Sequence, residues 1–164
     1  MPNETDDGLE AFYAASYQRL VSVVGAVAQD RREAEDAVQD AFARLIGQWP
    51  RVSRYDDPEA WVRKVAFGSL SNRRRKAGRG ALAFLRHGRV PDTPAPTGDR
   101  VDLRRALAAL PLTQRQAVVL QDLGLGVDEI ACHLDVPAGT VKSRLSRARA
   151  ALAPLLREDT TDRV

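Results

Sequence analysis

The sequence predicts an all-α protein: two small helical domains joined by a flexible linker, with a helix-turn-helix in the C-terminal domain. Apolar residues recur at intervals of three and four in residues 8–76 and again in residues 100–156, which is the spacing of one helix face. Glycine and proline are concentrated between these stretches, in residues 77–99, a composition typical of a tether. No segment alternates apolar and polar residues as a half-buried strand does.

The first domain is predicted to begin with two amphipathic helices. The first covers Gly8–Ala28. Asp30 is a suitable N-cap for the second, because its side chain can accept a hydrogen bond from a backbone N–H of the first turn. The apolar stripe of this second helix continues to Trp49, and we expect Pro50 to end the helix.

A third helix is predicted after a polar loop at Arg51–Asp56. Asp57 is a suitable N-cap, and Pro58 then occupies the first helical position, where its missing N–H has no intrahelical partner to lose. The helix is expected to end in the basic run Arg73–Lys76. Its inward-facing residues are predicted to be Trp61, Val62, Val65, Ala66 and Leu70.

The linker, residues 77–99, is expected to include a short helical turn near Leu82–Leu85. The second domain then opens with a predicted helix at Val101–Leu110, which Pro111 ends. The last helix of the chain is expected to fray near Pro154.

The second helix of this domain carries a start and a stop signal. Thr113, with Gln116 three residues later, matches a capping box, in which each side chain bonds the backbone N–H at the other position. Gly124 suits the left-handed backbone conformation that commonly follows a helix C-terminus.

The following residues have the pattern of a helix-turn-helix. A short amphipathic helix at Asp128–Leu134, with Ile130, Ala131 and Leu134 on its buried side, meets a second helix across the turn Asp135–Pro137. This turn is too short to let the two helices run antiparallel. Because the second helix of such a motif enters the DNA major groove, the sequence predicts a DNA-binding protein. The apolar stripe of that helix comprises Val141, Leu145, Ala148 and Leu152.

Composition and charge narrow the class of protein. The 164-residue chain has a formal charge of +3, but residues 1–50 carry nine acidic and four basic side chains, whereas residues 51–90 carry three acidic and eleven basic. This uneven charge suggests different partners for different segments.

Cys132, the lone cysteine, cannot form an intrachain disulfide, and with two histidines it makes no credible metal site. No signal peptide is recognisable, and no apolar run approaches the ~20 residues of a membrane span, so we expect a soluble cytoplasmic protein with no membrane partner.

Five strings of residues resemble one known family. In the second domain they are A-L-A-A-L-P-L-T-Q-R-Q-A-V-V-L, E-I-A-C-H-L-D-V-P and G-T-V-K-S-R-L-S-R-A-R-A-A-L; in the first they are R-E-A-E-D-A-V-Q-D-A-F-A-R-L and D-P-E-A-W-V-R-K-V-A. The chain resembles bacterial RNA polymerase sigma factors of the extracytoplasmic-function (ECF) type. The resemblance covers roughly residues 10–76 and 101–153, and residues 57–63 are similar to the actinobacterial branch.

The resemblance implies a transcription initiation factor with no catalytic activity and no cofactor. Residues 8–76 would form a region 2-like domain that binds core RNA polymerase and melts the −10 element of a promoter. Residues 100–156 would form a region 4-like domain that reads the −35 element. The implied partners are promoter DNA, core RNA polymerase through its β′ clamp coiled coil and β flap, and an anti-sigma factor where one exists.

The implied −35 site lies on the second helix of the helix-turn-helix. Lys142 and Arg147 are expected to reach O6 and N7 of guanine, while Ser143 and Ser146 bond base edges or phosphates. The remaining contacts are expected to be to the DNA backbone, from Thr140 at the helix N-terminus and from Arg144 and Arg149 on the flanking strand.

The implied −10 site combines the loop at residues 51–56 with the third helix. The family captures a flipped base with this loop, and Arg51, Arg54 and Tyr55 supply the cations and aromatic ring suited to that task. The family usually has Asn at the position of Gly68 and often an acidic residue near Asn72, so both positions depart from its pattern. The helix residues expected at the DNA are Arg63, Lys64, Asn72, Arg73, Arg74 and Lys76, the cations among them on phosphates.

The implied polymerase-binding site is an acidic face of the second helix. Taken alone, such a face is most simply a solvated surface, but in the sigma family the corresponding helix docks on the β′ clamp coiled coil. The residues expected in the contact are Glu33, Glu35, Asp36, Gln39 and Asp40.

Two other classes of function remain open on the residues alone. An autonomous helix-turn-helix regulator can carry a similar E-I-A-x-x-L and T-V-K pattern, although such proteins usually add an α/β receiver or ligand-binding domain. A nucleic-acid enzyme would need a carboxylate, serine or tyrosine constellation, and none stands out by spacing. The regulator should shift duplex DNA alone, the enzyme should change DNA covalently, and a sigma factor should need polymerase.

Overall fold

The computed structural model describes the backbone of residues 4–81 and 99–161 and the side chains of residues 8–79 and 103–155. These ranges contain helices and no strand, as the sequence predicts. The chain divides between residues 93 and 94 into two compact units. The helical turn predicted at Leu82–Leu85 lies outside the described residues. The helices are α1 (Glu4–Ala28), α2 (Arg31–Ile46), α3 (Trp49–Val52), α4 (Pro58–Ala81), α5 (Asp99–Ala108), α6 (Leu112–Asp122), α7 (Val127–Leu134) and α8 (Ala138–Thr161).

The core of the first unit lies between α1, α2 and α4, with α2 packed against both of the others. Both predicted caps are confirmed. Asp30 Oδ1 accepts a hydrogen bond from the Glu33 N–H at 3.1 Å, and Asp57 Oδ1 accepts one from the Ala60 N–H at 3.0 Å. The caps fix where α2 and α4 begin, and therefore which side chains of each helix face the core.

Pro50 lies in the first turn of a new helix, so the expected end of the second helix at Pro50 is wrong. α2 ends at Ile46, and Trp49 opens the separate one-turn helix α3. A proline lacks an N–H and has a helical φ, so it suits a first turn. Trp49 is buried, with its ring centroid 5.2 Å from that of Phe12. Val52 is fully buried, so the predicted polar loop begins with an apolar anchor.

The inner face of α4 largely matches the prediction. Val62, Ala66 and Leu70 are fully buried, whereas Trp61 is only half-buried. Phe67, which was not predicted to face inward, is 2% exposed. Val65, which was predicted to face inward, is half-buried.

α4 also continues beyond the basic run to Ala81, into the residues predicted to begin the linker. No proline interrupts this stretch, and Gly78 and Gly80 weaken a helix by only about 1 kcal/mol each. The helix therefore includes the first residues of the segment that the sequence predicts to be the linker. The extension carries Arg79 onto the same helix as the basic run.

The predicted capping box at Thr113 is wrong. The N-cap of α6 is Pro111, which makes no side-chain hydrogen bond, so Thr113 lies within the first turn and Gln116 is buried. Gly124 does follow the helix with a φ of +92°, as predicted, and the Leu125 N–H bonds the Leu120 carbonyl at 3.2 Å across it.

A buried arginine joins α5 to α6. The Arg115 guanidinium donates to the carbonyls of Leu107 and Leu110 at 2.8 Å each, and the Leu107 carbonyl also accepts the Leu110 N–H, so this side chain bonds the backbone where α5 ends. Its burial places the N-terminus of α6 directly against the end of α5.

α7 and α8 form the helix-turn-helix. Asp135 ends α7 in the left-handed conformation with a φ of 52°, and the chain enters α8 three residues later. Val141, Leu145 and Ala148 are buried as predicted, and Leu152 is half-buried.

The expected fraying near Pro154 is wrong, because α8 runs on to Thr161. A proline inside a helix leaves the carbonyl four residues earlier without its N–H partner. That carbonyl belongs to Ala150, which is exposed, so water can replace the missing hydrogen bond.

Candidate nucleic-acid interface

The polar face of α8 is open to solvent. Because the buried stripe turns Val141, Leu145 and Ala148 inward, the residues between them point outward. The exposed predicted site residues are Lys142, Ser146, Arg147 and Arg149, and the half-buried ones are Thr140, Ser143 and Arg144. The structure thus brings all seven residues of the predicted −35 site to the accessible side of one helix.

An open groove of 440 Å³ runs between the start of α6 and the N-terminal half of α8. Its lining is polar and basic, and four of the predicted residues contribute to it. Two further residues, from α6, were not predicted from the sequence. No local pattern marks these two, because only the packing of α6 against α8 places them there. The lining residues are Thr113, Gln114, Gly139, Thr140, Ser143, Arg144 and Arg147.

In the first unit, an aspartate of α2 holds an arginine of α4. The Asp40 carboxylate accepts hydrogen bonds from Ser69 Oγ at 2.7 Å and from Arg73 Nη2 and Nε at 2.6 and 3.1 Å. Arg73 Nη1 also lies 3.5 Å from Asp36 Oδ2. The hydrogen bonds from Arg73 and Ser69 hold the pKa of the Asp40 carboxyl below its usual value, and Asp40 raises the pKa of Arg73.

A second arginine of α4 ties three helices together. Arg74 Nη2 lies 2.7 Å from Glu33 Oε2 at the start of α2 and also donates to the carbonyl of Ala28 at the end of α1. Glu33, Asp36 and Asp40 were expected to face polymerase, and Arg73 and Arg74 to face phosphates. In the structure the two sets pair with each other, because α4 packs directly on α2.

The other predicted −10 residues differ in accessibility. Arg51, Arg54 and Tyr55 are exposed around the turn that precedes α4. Lys64 is half-buried. Arg63 is only 9% exposed and its Nε has no hydrogen-bond partner among the described residues, so its side chain lies inward.

The exposed side of α4 continues toward its C-terminus. Asn72 is exposed, and its Oδ1 accepts a hydrogen bond from Arg75 at 2.7 Å. Lys76 is exposed as well. Among the described residues, no atom outside the helix backbone lies within 4 Å of the position that a Cβ of Gly68 would take, so this part of the helix surface is bare backbone.

An apolar groove of 400 Å³ lies between α1 and α2, on a surface that includes one predicted polymerase contact, Gln39. Ile46 is 66% exposed at its edge, although isoleucine is among the most apolar residue types. The groove was not predicted from the sequence because an exposed isoleucine cannot be distinguished from a buried one by periodicity. The lining residues are Leu9, Glu10, Tyr13, Gln39, Phe42, Ala43 and Ile46.

Two absences bear on other kinds of site. Within the described ranges, no three His, Cys, Asp or Glu residues are arranged to hold a metal ion. No helix of the described part of the chain is long and apolar enough to cross a membrane.

Two stretches of the chain match known families. Residues 12–80 match Sigma-70 region 2, and residues 100–152 match Sigma-70, region 4. The ECF RNA polymerase sigma factor SigM of Mycobacterium tuberculosis is 33% identical over 153 residues, which cover 90% of this chain and 76% of that protein. The chain belongs to the ECF sigma factors. The RNA polymerase sigma-E factor of Streptomyces antibioticus is 34% identical to it over 126 residues, which cover 75% of the chain and 70% of that relative.

Two solved structures resemble this ECF sigma factor. RpoE from Bartonella quintana, in complex with the anti-sigma factor NepR, has a TM-score of 0.75 and 26% identity, and the match covers 90% of this chain and 96% of that one. CnrH, in complex with the cytosolic domain of CnrY, has a TM-score of 0.58 and 23% identity over 96% and 92% of the two chains. The second likeness concerns the fold alone.

The family predicted from the sequence is thereby confirmed, as is the resemblance to actinobacterial members. The region 2 match begins within α1 and ends within α4, and the region 4 match begins at α5 and ends within α8. Sigma factors are transcription factors rather than enzymes. This ECF sigma factor accordingly binds core RNA polymerase and directs it to promoter DNA.

Proposed function

We propose that the two units of this sigma factor divide promoter recognition between them, with α8 reading the −35 element and the first unit binding core polymerase and opening the −10 element. The linker between residues 81 and 99 would join the two. The observation that carries the proposal is the outward polar face of α8 in a helix-turn-helix. The site of action would be the cytoplasm, where bacterial RNA polymerase works.

The −35 contacts follow from position along α8. Lys142 and Arg147 are exposed and long enough to reach guanine O6 and N7 in the major groove, whereas Thr140 lies in the first turn, where a phosphate is favoured. Thr113 and Gln114 share the groove with Thr140, which supports a backbone contact from α6 as well. Ser143, Arg144, Ser146 and Arg149 complete the proposed surface.

Polymerase binding is proposed for the α1–α2 side of the first unit. Stable interfaces combine apolar anchors with a polar rim, and the groove beside Gln39 offers both. Asp36 and Glu35 supply negative charge on the same helix, although Glu35 also pairs with Arg31 at 2.7 Å. The expected partner is the β′ clamp coiled coil, and the β flap is the expected partner of the second unit.

Opening of the −10 element is proposed for the turn before α4 and for the exposed side of that helix. Tyr55 can stack on an unpaired base while Arg51 and Arg54 hold its backbone. Lys64, Asn72 and Lys76 extend this surface along α4, whereas the inward position of Arg63 argues against a DNA contact there.

An anti-sigma factor is proposed as a further partner. The solved structure of RpoE is a complex with the anti-sigma factor NepR, and this chain resembles RpoE over 90% of its length. Purification of the chain from its native cells tests this partner, since recovery without any bound small protein under uninduced conditions would count against it.

Run-off transcription tests the proposed function. The purified chain is mixed with sigma-free core polymerase and a genomic promoter pool, and discrete transcripts that require the chain are expected. Lys142→Ala/Arg147→Ala should weaken them, because an alanine side chain cannot reach guanine O6 and N7. The control Arg32→Ala/Arg105→Ala also removes two positive charges, from exposed positions on α2 and α5, and should leave the transcripts unchanged. Absence of transcripts, together with a shift of duplex DNA by the chain alone, would instead favour an autonomous regulator.

A further inference from the structure

The last turns of α4 expose a strip of positive charge that continues into the residues predicted to be linker. Arg75, Lys76 and Arg79 are exposed and lie one helical turn apart or less. The same helix side carries Asn72 and the bare backbone at Gly68, so no bulky apolar side chain covers this stretch of the face.

These three side chains have no carboxylate partner within the described part of the chain. Arg75 donates a hydrogen bond to the amide oxygen of Asn72 at 2.7 Å, and Arg79 donates one to the carbonyl of Arg75 at 3.4 Å. Neither bond neutralises charge. The strip therefore presents its full positive charge to solvent.

Their neighbours in the basic run are in the opposite situation. Arg73 is bonded to Asp40 and lies near Asp36, and Arg74 is bonded to Glu33 and to the end of α1. The positive charge of each of these two guanidinium groups is already matched by a carboxylate, so each attracts a phosphate less strongly than an unpaired guanidinium does. The helix thus separates two arginines that hold it against α1 and α2 from three cations that face outward.

We propose that Arg75, Lys76 and Arg79 form a phosphate-binding strip that grips the backbone of promoter DNA, while Arg73 and Arg74 position α4 and do not touch DNA. This inference rests on the proposed function. Arg75 and Arg79 are separated by about 6 Å along the helix axis. Phosphates of one strand recur about every 3.4 Å along a duplex, so the strip can span neighbouring phosphates.

The test is the salt dependence of promoter binding by the full chain assembled with core polymerase. The probe is a fluorescent promoter fragment identified by run-off transcription, and its Kd is measured between about 50 and 200 mM salt, the range over which phosphate binding changes affinity strongly. The slope of log K against log salt is negative, and each phosphate that the protein neutralises makes it steeper by about 0.7 to 0.9. Arg75→Ala/Arg79→Ala should therefore make the slope shallower by roughly 1.4 to 1.8.

Two variants serve as controls. Arg75→Lys/Arg79→Lys keeps both charges and should keep the slope, while Arg32→Ala/Arg105→Ala removes two exposed charges elsewhere and should leave it unchanged. Thermal unfolding of the alanine variant should match that of the original chain, because both side chains are exposed.

The outcomes separate the strip from the function on which it rests. If the original chain binds the promoter with polymerase and the alanine variant keeps its slope and affinity, the strip is wrong and the sigma function stands. A lysine variant whose slope becomes as shallow as that of the alanine variant would also refute a charge-based strip. If the original chain gives no polymerase-dependent binding, both inferences fail.

Discussion

At the scale of single residues, Asp40 is a carboxylate whose surroundings change its protonation. Its Oδ2 accepts hydrogen bonds from Ser69 and Arg73, which lower its pKa. The charged form of Asp40 is therefore the form that the folded state prefers. The pair links α2 to α4 at a point where both helices face solvent.

Acid should weaken this link. Because the folded pKa of Asp40 lies below the unfolded value of about 3.9, its contribution is fully present above that pH and disappears as the pH falls through the folded pKa. Asp40→Asn should cost less than about 1 kcal/mol at neutral pH, as expected for a partly exposed pair. Urea unfolding from about pH 7 to pH 3 measures this, and the variant should show a flatter decline below about pH 4 than the original chain. An identical decline in both chains would contradict the assigned link.

Substitution of Gly68, unlike that of Asp40, is expected to stabilise the folded state. The space around its missing Cβ is empty, and the residue lies within a helix, so Gly68→Ala should stabilise the first unit by up to about 1 kcal/mol. Gly124→Ala is the matched control, since its φ of +92° should make the same substitution destabilising. Chemical denaturation measures both, and a destabilised Gly68→Ala variant would show that a methyl group does not fit at this position.

At the scale of elements, α8 performs two tasks with two faces. Leu145 is buried against the other helices of its unit, while Arg147 two residues later is exposed. A helix whose buried face is disrupted cannot hold its polar face in a fixed orientation. DNA reading by α8 therefore depends on the small core beneath it.

Leu145→Ala should cost about 2–5 kcal/mol, because it leaves a cavity in that core. Such a cost approaches the whole stability of a domain this small. Leu155→Ala, at an exposed position of the same helix, should change stability little. Guanidinium denaturation with circular dichroism distinguishes the two, and equal effects would mean that Leu145 does not pack in the core.

The elements show which parts of the fold are predictable from the sequence. The starts of α2 and α4 were predictable because Asp30 and Asp57 act on N–H groups three residues away. The helix-turn-helix was predictable because its apolar stripe and its turn are adjacent in the chain. The failed capping box at Thr113 shows the limit of such patterns, since Pro111 two residues earlier had already fixed the start of α6.

The site was predictable only where its residues share one helix. All seven α8 residues reach the surface as expected, whereas Thr113 and Gln114 join them through tertiary packing. The pairing of Arg73 with Asp40 joins residues 33 positions apart, and neither residue carries a local sign of the other. Charged residues that the sequence predicts to face two separate partners therefore pair with each other within the first unit.

At the scale of the whole molecule, the acidic and basic blocks of the first unit partly neutralise each other. Part of the basic block in residues 51–90 is neutralised by the acidic block in residues 1–50 through the ion pairs of Arg73 and Arg74. Two weak sites joined in one chain gain affinity through effective concentration once a common partner holds both. Core polymerase is that partner in the proposed function.

A gel shift at about 150 mM salt, close to physiological ionic strength, tests whether this ECF sigma factor reads promoters only together with polymerase. One promoter fragment is incubated with the chain alone, with core polymerase alone and with both. A stable complex only in the third sample is the predicted result. A complex of equal strength with the chain alone would show that promoter binding does not depend on polymerase and would identify an autonomous DNA-binding protein.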